Sequence, residues 1–190
     1  MKPRVALLDA NVLYSAPLRD ILVQLSYAGL YQARWSVEIN NEWKRNLLAA
    51  RPELAERLAR TQAAMRRAIP DALVTDYEHL IPTLLLPDSG DRHVLAAAVA
   101  TSAEAIVTFN LRDFPSAALE PYGMVAEHPD DFLQSLIAIM PLEVLTCVRE
   151  CLGRLTQPAL SVAEYLANLH RLGLTKTASF LADNPTSWRR

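Results

Sequence analysis

Glycine and cysteine are scarce in this chain: its 190 residues include five Gly and two Cys. A collagen-like repeat needs far more glycine, and a disulfide-stapled secreted domain needs several cysteine pairs. With 51% hydrophobic residues, the chain has the apolar content of a globular protein and not of a disordered one. We therefore expect a buried core, reduced thiols at Cys147 and Cys151, and a cytoplasmic location.

Long hydrophobic runs are also missing. The first apolar run, Val5–Leu8, is interrupted by Asp9, and a later run at residues 136–140 is equally short. A helix that spans a bilayer needs about 20 apolar residues, and a signal peptide needs a longer apolar segment near the N-terminus. The sequence therefore predicts a soluble protein without a membrane anchor or signal peptide.

A basic excess is the third absence. The formal net charge is -2, so the chain as a whole has no electrostatic preference for nucleic acid. A local basic surface remains compatible with this value, because residues 44–67 are rich in cations. The cations of this segment are Lys44, Arg45, Arg51, Arg57, Arg60, Arg66 and Arg67. Helical surfaces that face water have the same composition, so both interpretations stay open.

Apolar residues alternate along the chain between strand-like and helix-like spacing. Short apolar runs predict strands at residues 4–8, 31–36, 105–108 and 124–126, with a further irregular strand within residues 72–87. Helical spacing between them predicts helices at 18–28, 37–48, 52–67, 91–101 and 130–139. Strands separated by helices pair in parallel, with helices on both faces of the sheet. The fold class is therefore α/β, with three layers.

Helical patterns continue beyond Pro141 without further strands. Residues 142–155, a segment that opens with a capping-box pattern at Ser161 and Glu164, and residues 176–181 predict three helices. We interpret residues 1–140 as the main domain and residues 141–190 as a C-terminal helical extension. The extension is too small to bury its own apolar faces, so it should pack on the main domain or on a partner.

The residues that could support chemistry are mainly carboxylates. The sequence lacks a glycine-rich phosphate loop and a Gly-x-Ser-x-Gly motif, and its four histidines lack zinc-ligand spacing. Asp9 is the strongest candidate, because it ends a buried strand, and a buried carboxylate is costly unless it is paired or binds a cation. Asp113 follows a second strand and should reach the same edge of the sheet.

Two further acids have simpler explanations beside the functional one. Asp91 begins a predicted helix, where capping alone would account for it, and Asp88 could share or replace its role. Glu42 lies within a predicted helix, where a glutamate is normally solvated. Position alone therefore does not decide whether these acids belong to the site.

Four segments together resemble the PIN domain, and in particular the toxin-like PIN proteins related to the virulence-associated protein C (VapC) toxins of bacterial toxin-antitoxin modules. The resemblance covers about residues 5–132. It rests on residues 7–13 (LLDANVL), on Trp35 and Ser36 followed by Glu42, on residues 88–98 (DSGDRHVLAAA), and on residues 107–114 (VTFNLRDF).

The resemblance implies an α/β/α fold and a carboxylate site that binds Mg²⁺ or Mn²⁺ and hydrolyses phosphodiester bonds in RNA. Hard divalent cations prefer such oxygen ligands. The positions that match the acidic motif are Asp9, Glu42, Asp91 and Asp113, and Asp88 is a candidate fifth ligand. The matching polar positions are Asn11, Ser36, Thr108 and Asn110. Where many relatives have a threonine three residues before the helical glutamate, this sequence has Ile39.

The resemblance also suggests partners. A toxin ribonuclease acts on RNA and is commonly held by a small antitoxin protein, and PIN relatives often form homodimers. We expect Arg45, Arg92 or His93 to contact RNA phosphates, although surface ion pairing would explain the same residues. The extension at residues 141–190 is a candidate docking surface for the antitoxin.

Two alternative functions remain. The first is a catalytically inactive PIN-fold binding module, in which the carboxylates hold a structural metal or have no role. The second is a haloacid-dehalogenase-like phosphatase, which also places an aspartate after its first strand. Asn11 argues against the phosphatase, because it occupies the position of the usual second acid.

Overall fold

Five short parallel strands form the centre of this computed structural model, which describes residues 3–155 and 160–188. The strands are β1 (Val5–Leu8), β2 (Gln32–Ser36), β3 (Leu73–Val74), β4 (Ala105–Val107) and β5 (Val125–Glu127). Their order in the sheet is β3-β2-β1-β4-β5, and all neighbours are parallel. The prediction of a parallel α/β sheet is confirmed, with strand ends shifted by one or two residues.

The central strand β1 is apolar and buried along its whole length, as expected for a strand covered by helices on both faces. Most helices of the main domain lie where the apolar spacing predicted them. They are α2 (Ala16–Tyr27), α3 (Val37–Ala50), α4 (Ala55–Ala68), α5 (Arg92–Ala100) and α7 (Pro129–Ile139), whereas the short α6 (Ser116–Leu119), between β4 and β5, was not predicted. Gly29 at φ +80° follows α2, a backbone conformation that glycine adopts without strain.

Two further local features of the main domain were not expected. A short helix, α1 (Ala10–Tyr14), follows β1 directly, whereas the apolar spacing predicted the first helix only from residue 18. The helix predicted from Pro52 begins as a 3-10 turn at Pro52–Leu54 before α4. Five residues are too few for a helical apolar pattern, so α1 left no periodic signal in the sequence.

The C-terminal extension forms α8 (Pro141–Arg154), α9 (Val162–Arg171), α10 (Thr175–Asp183) and α11 (Pro185–Trp188). The capping box at Ser161 is present. The last predicted helix, at residues 176–181, is longer than expected, and α11 was missed. The boundary between residues 140 and 141 stays a prediction.

The extension packs on the main domain. Helix α8 contacts α2 and α7, and α10 contacts α7 and α9. Cys147 and Cys151 are buried free thiols on the inner face of α8, in agreement with the reduced thiols expected from the sequence. Trp188 is fully buried, and its indole N–H donates to the Leu181 carbonyl at 2.6 Å. Across the described ranges, no helix has the length and hydropathy of a membrane span.

Candidate active site

The carboxyl ends of the central strands bring the predicted site residues to one edge of the sheet. Asp9 follows β1 directly, Ser36 ends β2, and Thr108 follows β4. Because β1 lies between β2 and β4, these three positions are neighbours across the sheet. This is the edge at which open α/β sheets bind their ligands.

Asp9 is held by three hydrogen bonds. Its Oδ1 accepts from the backbone N–H of Ala10 at 2.6 Å, so it caps α1. Its Oδ2 accepts from the Asn11 amide at 2.6 Å and from the Thr108 hydroxyl at 2.7 Å. The residue is only 6% exposed. These donors fix the carboxylate in one orientation in a water-poor setting.

Asn11 and Thr108 also join the two loops that follow β1 and β4. The Asn11 amide donates to the Thr108 hydroxyl at 2.8 Å, and its carbonyl oxygen accepts from the Phe109 N–H at 3.1 Å. The Asn110 N–H donates to the same Thr108 oxygen at 2.9 Å. The sequence-predicted polar residues Asn11 and Thr108 therefore lie in direct contact with Asp9.

Asp113 lies in a 3-10 turn, Leu111–Asp113, on the loop that follows β4. The side-chain amide of Asn110 donates to its carboxylate. Asn110 therefore lies beside Asp113, the last acid of the motif. Since Asn110 is also hydrogen-bonded to Thr108 through its backbone, Asp113 is connected to the Asp9 network by two successive bonds.

Of the two aspartates that precede α5, Asp88 caps a helical turn with its side chain and Asp91 does not. Asp91 occupies the N-cap position of α5, but its side chain makes no capping hydrogen bond. Asp88 accepts from the Gly90 N–H at 2.7 Å and caps the preceding 3-10 turn, Ser89–Asp91. Capping therefore explains Asp88 and does not explain Asp91. Asp88 is exposed, and its place as a fifth ligand stays a prediction.

Glu42 lies on α3, a helix whose N-terminus is capped by the Ser36 hydroxyl through the Ile39 N–H at 3.1 Å. Its Oε2 is 3.6 Å from Nε2 of His93, a residue of α5 that is 7% exposed. The other ring nitrogen, Nδ1, is 3.7 Å from Glu38 Oε2 and is buried without a hydrogen-bond partner in the described residues. His93 therefore faces two acids of α3, and little of its ring is exposed to solvent.

Burial and mutual repulsion alter the titration of these acids. Burial raises the pKa of Asp9, the hydrogen bonds from Thr108 and Ala10 oppose that rise, and the charge of Glu42 adds to it. The pKa of Asp91 is raised to about 6, first by burial and then by the charges of Asp9, Asp113, Asp88 and Glu42. Burial lowers the pKa of His93, but the proximity of Glu42, Glu38 and Asp9 outweighs it, so the net shift is upward.

The acids approach one another without forming a preformed metal site. Within residues 3–155 and 160–188, no three His, Cys, Asp or Glu side chains are close enough together to hold a metal ion. The donor set nevertheless fits a hard divalent cation, since it consists of carboxylates, and the charges of Asp9, Asp113, Asp88 and Glu42 raise the pKa of Asp91. A cation between them would relieve that repulsion.

The two arginines that were predicted to contact phosphate, Arg45 and Arg92, differ in exposure. Arg45 is exposed on α3, and Arg92 is partly exposed with its Nε buried and unpaired in the described part of the chain.

Glu38, the second acid beside His93, was not among the residues predicted from the sequence. Its signal was the four-residue spacing from Glu42, which places both acids on one face of α3.

The pKa of Asp91 leads to a pH-dependent prediction. Because the folded-state pKa is above the ordinary value of 3.8, ionised Asp91 destabilises the metal-free fold. The stability linked to Asp91 is present below pH 3.8 and is lost as the pH rises through about 6. In metal-free buffer, Asp91→Asn should raise Tm relative to wild type at pH 8, and this difference should shrink on acidification through pH 6.

Thermal unfolding followed by circular dichroism measures this difference. Asp71→Asn is the matched control, because Asp71 is an exposed aspartate in the 3-10 turn Pro70–Ala72, outside the carboxylate site. A Tm difference for Asp91→Asn that does not change with pH would contradict the proposed repulsion among the acids.

Comparisons with known proteins agree with this geometry. A family model described as "PIN domain" matches residues 5–112, which is more than half of the chain, and one described as "VapC50 C-terminal domain" matches residues 129–183. A curated protein of Mycobacterium tuberculosis (strain ATCC 25618 / H37Rv), described as "Putative ribonuclease VapC50", is 44% identical over 82 residues. The matched segment covers 43% of this chain and 48% of that relative, so it spans about half of the relative's length. No solved structure matches.

Proposed function

Because this chain belongs to the PIN-domain family, we propose that it is an Mg²⁺- or Mn²⁺-dependent ribonuclease and the toxin component of a type II toxin-antitoxin system. The observation that carries the proposal is the position of Asp91. Its carboxylate is surrounded by the charges of four other acids at the carboxyl edge of the sheet, and it caps nothing. The similarity to the mycobacterial relative supports ribonuclease activity as the chemistry of this edge.

Asp9, Asp91, Asp113 and Glu42 would hold the cation or cations. When bound, Mg²⁺ or Mn²⁺ would activate water and neutralise the charge that develops on the phosphate. Asp9 is the best oriented of these ligands, because Ala10, Asn11 and Thr108 fix both of its oxygens. Asn110 orients Asp113 in the same way from the neighbouring loop.

Glu42 is the acid best placed to orient the attacking water. Its Oε2 lies beside Nε2 of His93, and protonated His93 would hold that oxygen while the other remains available to a water or ligand. We therefore assign His93 a positioning role toward Glu42 in place of a direct phosphate contact. Arg45 and Arg92 remain the candidates for binding RNA phosphates.

The site gives less support to the two alternative functions. In a phosphatase, the residue at position 11 would be a second acid, whereas Asn11 here is a hydrogen-bond donor to Asp9. In an inactive binding module, nothing would require other acids to raise the pKa of Asp91, which costs stability. Phosphorylation of Asp9 would support the phosphatase.

The partners follow from the toxin role. RNA would be the substrate, and a small antitoxin protein would cover the site or dock elsewhere on the chain. The packing of α8 and α10 on the main domain uses the inner faces of the extension for intramolecular contacts. An antitoxin or a second copy of the chain would therefore dock on outer surfaces, and neither partner is needed to cover those inner faces.

Incubation of the purified full chain with a pool of RNAs tests the nuclease. We expect cleavage with Mg²⁺ or Mn²⁺ and loss of cleavage in EDTA, with products resolved by sequencing gels. In a second arm, expression of the chain in bacteria should slow growth, and a small open reading frame beside its gene should restore it. Cleavage that is unaffected by EDTA would contradict metal dependence, and unaffected growth would contradict the toxin role alone.

A further inference from the structure

A cavity of about 250 Å³ lies between α3, α4 and the edge of the sheet at β2 and β3. Its apolar lining includes Trp35 and Ile69. Its polar lining consists of Asn40, Asn41, Gln62 and Arg66. Ligand pockets for drug-sized molecules are usually larger, about 300–1,000 Å³, so this cavity fits one small group.

The cavity adjoins the carboxylate site through α3. Asn41 directly precedes Glu42, and Val37, which also lines the cavity, directly precedes Glu38. Successive residues of a helix are offset by about 100° around its axis, so the acids and the cavity lining occupy adjacent faces of α3. An RNA strand that crosses α3 would meet the carboxylates and the cavity in succession.

The polar groups of the cavity are only partly used within the protein. Asn40 accepts from the Trp43 indole at 3.1 Å through its side-chain oxygen, and Gln62 donates to the Asn40 backbone carbonyl at 3.0 Å. The Asn40 amide nitrogen, the Gln62 amide oxygen and the side chains of Asn41 and Arg66 have no hydrogen bond or ion pair in the described ranges.

These free groups include both donors and acceptors. A phosphate would use donors only, and an aliphatic side chain would use neither. The edge of an unpaired nucleobase presents donors and acceptors together, and its face can stack on an arginine side chain. We propose that this cavity binds one unpaired nucleobase of the RNA substrate beside the cleaved bond, and thereby sets a base preference. This inference rests on the proposed ribonuclease function.

Single-stranded RNAs with one abasic site, moved nucleotide by nucleotide along the chain, test the proposal. For wild type, kcat/KM should fall by roughly 10- to 100-fold when the abasic site occupies one particular position, in line with the usual cost of losing a bound base. The variants Asn41→Ala and Arg66→Ala should cleave intact RNA more slowly and lose little more on the abasic RNA.

Matched controls are available on the same helices. Asn46→Ala changes an exposed asparagine of α3, and Arg60→Ala changes an exposed arginine of α4, and neither lines the cavity. Both should keep the abasic response of wild type. If Asn41→Ala and Arg66→Ala also keep it, the cavity is not the base site and the proposal is overturned.

Failure of the nuclease is distinguishable from failure of the cavity. If wild type cleaves no RNA, fluorescence anisotropy with the same RNAs replaces cleavage as the readout. Binding that weakens at one abasic position in wild type, but not in Asn41→Ala or Arg66→Ala, would support the cavity without the nuclease. Binding that ignores the abasic site would overturn it, as would loss of a protein partner by these variants with an unchanged RNA response.

Discussion

Replacing Asp9 with asparagine is expected to lower RNA cleavage by at least about 100-fold while the protein remains folded. Loss of an outer hydrogen-bond partner of a metal ligand commonly costs 10- to 100-fold, and loss of a ligand's charge should cost at least as much. Asparagine keeps the shape of Asp9, and its carbonyl oxygen can still accept from Ala10 or Asn11. The measurement is kcat/KM on one RNA substrate with saturating Mg²⁺.

Thermal unfolding of the same variant separates activity from stability. Burial raises the pKa of Asp9, so in metal-free buffer at neutral pH its ionised form opposes folding. The stability linked to this group is present below its unfolded pKa of 3.8 and is lost as the pH rises through the folded value. Asp9→Asn should therefore have a Tm equal to or above that of wild type in EDTA.

With a divalent cation present, the Tm of wild type should rise above that of Asp9→Asn. Mg²⁺ or Mn²⁺ that binds only the folded state raises the Tm of wild type by mass action. Asp9→Asn should gain much less, and the exposed control Asp71→Asn should gain as much as wild type. Cleavage by Asp9→Asn at the wild-type rate, with a normal Tm, would remove Asp9 from the proposed mechanism.

Asp9 illustrates what sequence could predict about the site. A carboxylate that directly follows a buried apolar run has few explanations other than a partner or a cation, and the structure places it at the expected edge of the sheet. Thr108 and Asn11 were placed by the motif alone. The hydrogen bond from Thr108 to Asp9 joins residues 99 positions apart, and the one from Asn11 to Thr108 joins residues 97 positions apart, which no local pattern encodes.

Asp91 and Asp88 illustrate what sequence left open. Both precede α5, and both residue types cap helices, so position could not assign the cap to one of them. The assignment depends on backbone geometry: a 3-10 turn precedes α5, and this turn directs the Gly90 N–H to Asp88. Because Asp88 is the capping residue, helix capping does not explain Asp91.

Glu42 depends on tertiary contacts more than the other acids. A helical glutamate has no distinguishing pattern, and His93 lies 51 positions further along the chain. The positions of α3 and α5 bring Glu42 Oε2 to 3.6 Å from His93 Nε2. Sequence suggested an RNA contact for His93, whereas burial beside Glu38 and Glu42 favours the positioning role proposed here.

Asp130 joins α7 to the C-terminal extension through a contact that the sequence did not indicate. Asp130, in the first turn of α7, is 3% exposed. Its carboxylate accepts from the Lys176 N–H at 2.9 Å, the Thr177 N–H at 2.9 Å and the Thr177 hydroxyl at 2.7 Å. It therefore caps α10 from another helix, in place of a local capping side chain, which α10 lacks.

Asp130→Ala should lower the free energy of unfolding by about 3 kcal/mol, because it leaves two N–H groups and one hydroxyl of α10 without their charged acceptor. For a chain of this size the corresponding fall in Tm is roughly 6–12 °C. Hydrogen exchange should accelerate first at Ala178 and Leu181, two of the three buried residues of α10.

Asp131→Ala is the matched control for Asp130→Ala. Asp131 is an exposed aspartate at the next position, and it forms an ion pair with the Lys176 side chain. Exposed ion pairs contribute about 0–1 kcal/mol, so this variant should unfold within a few degrees of wild type. Equal Tm values for the two variants would mean that α10 does not need Asp130. A large difference would mean that a single buried carboxylate joins the extension to α7.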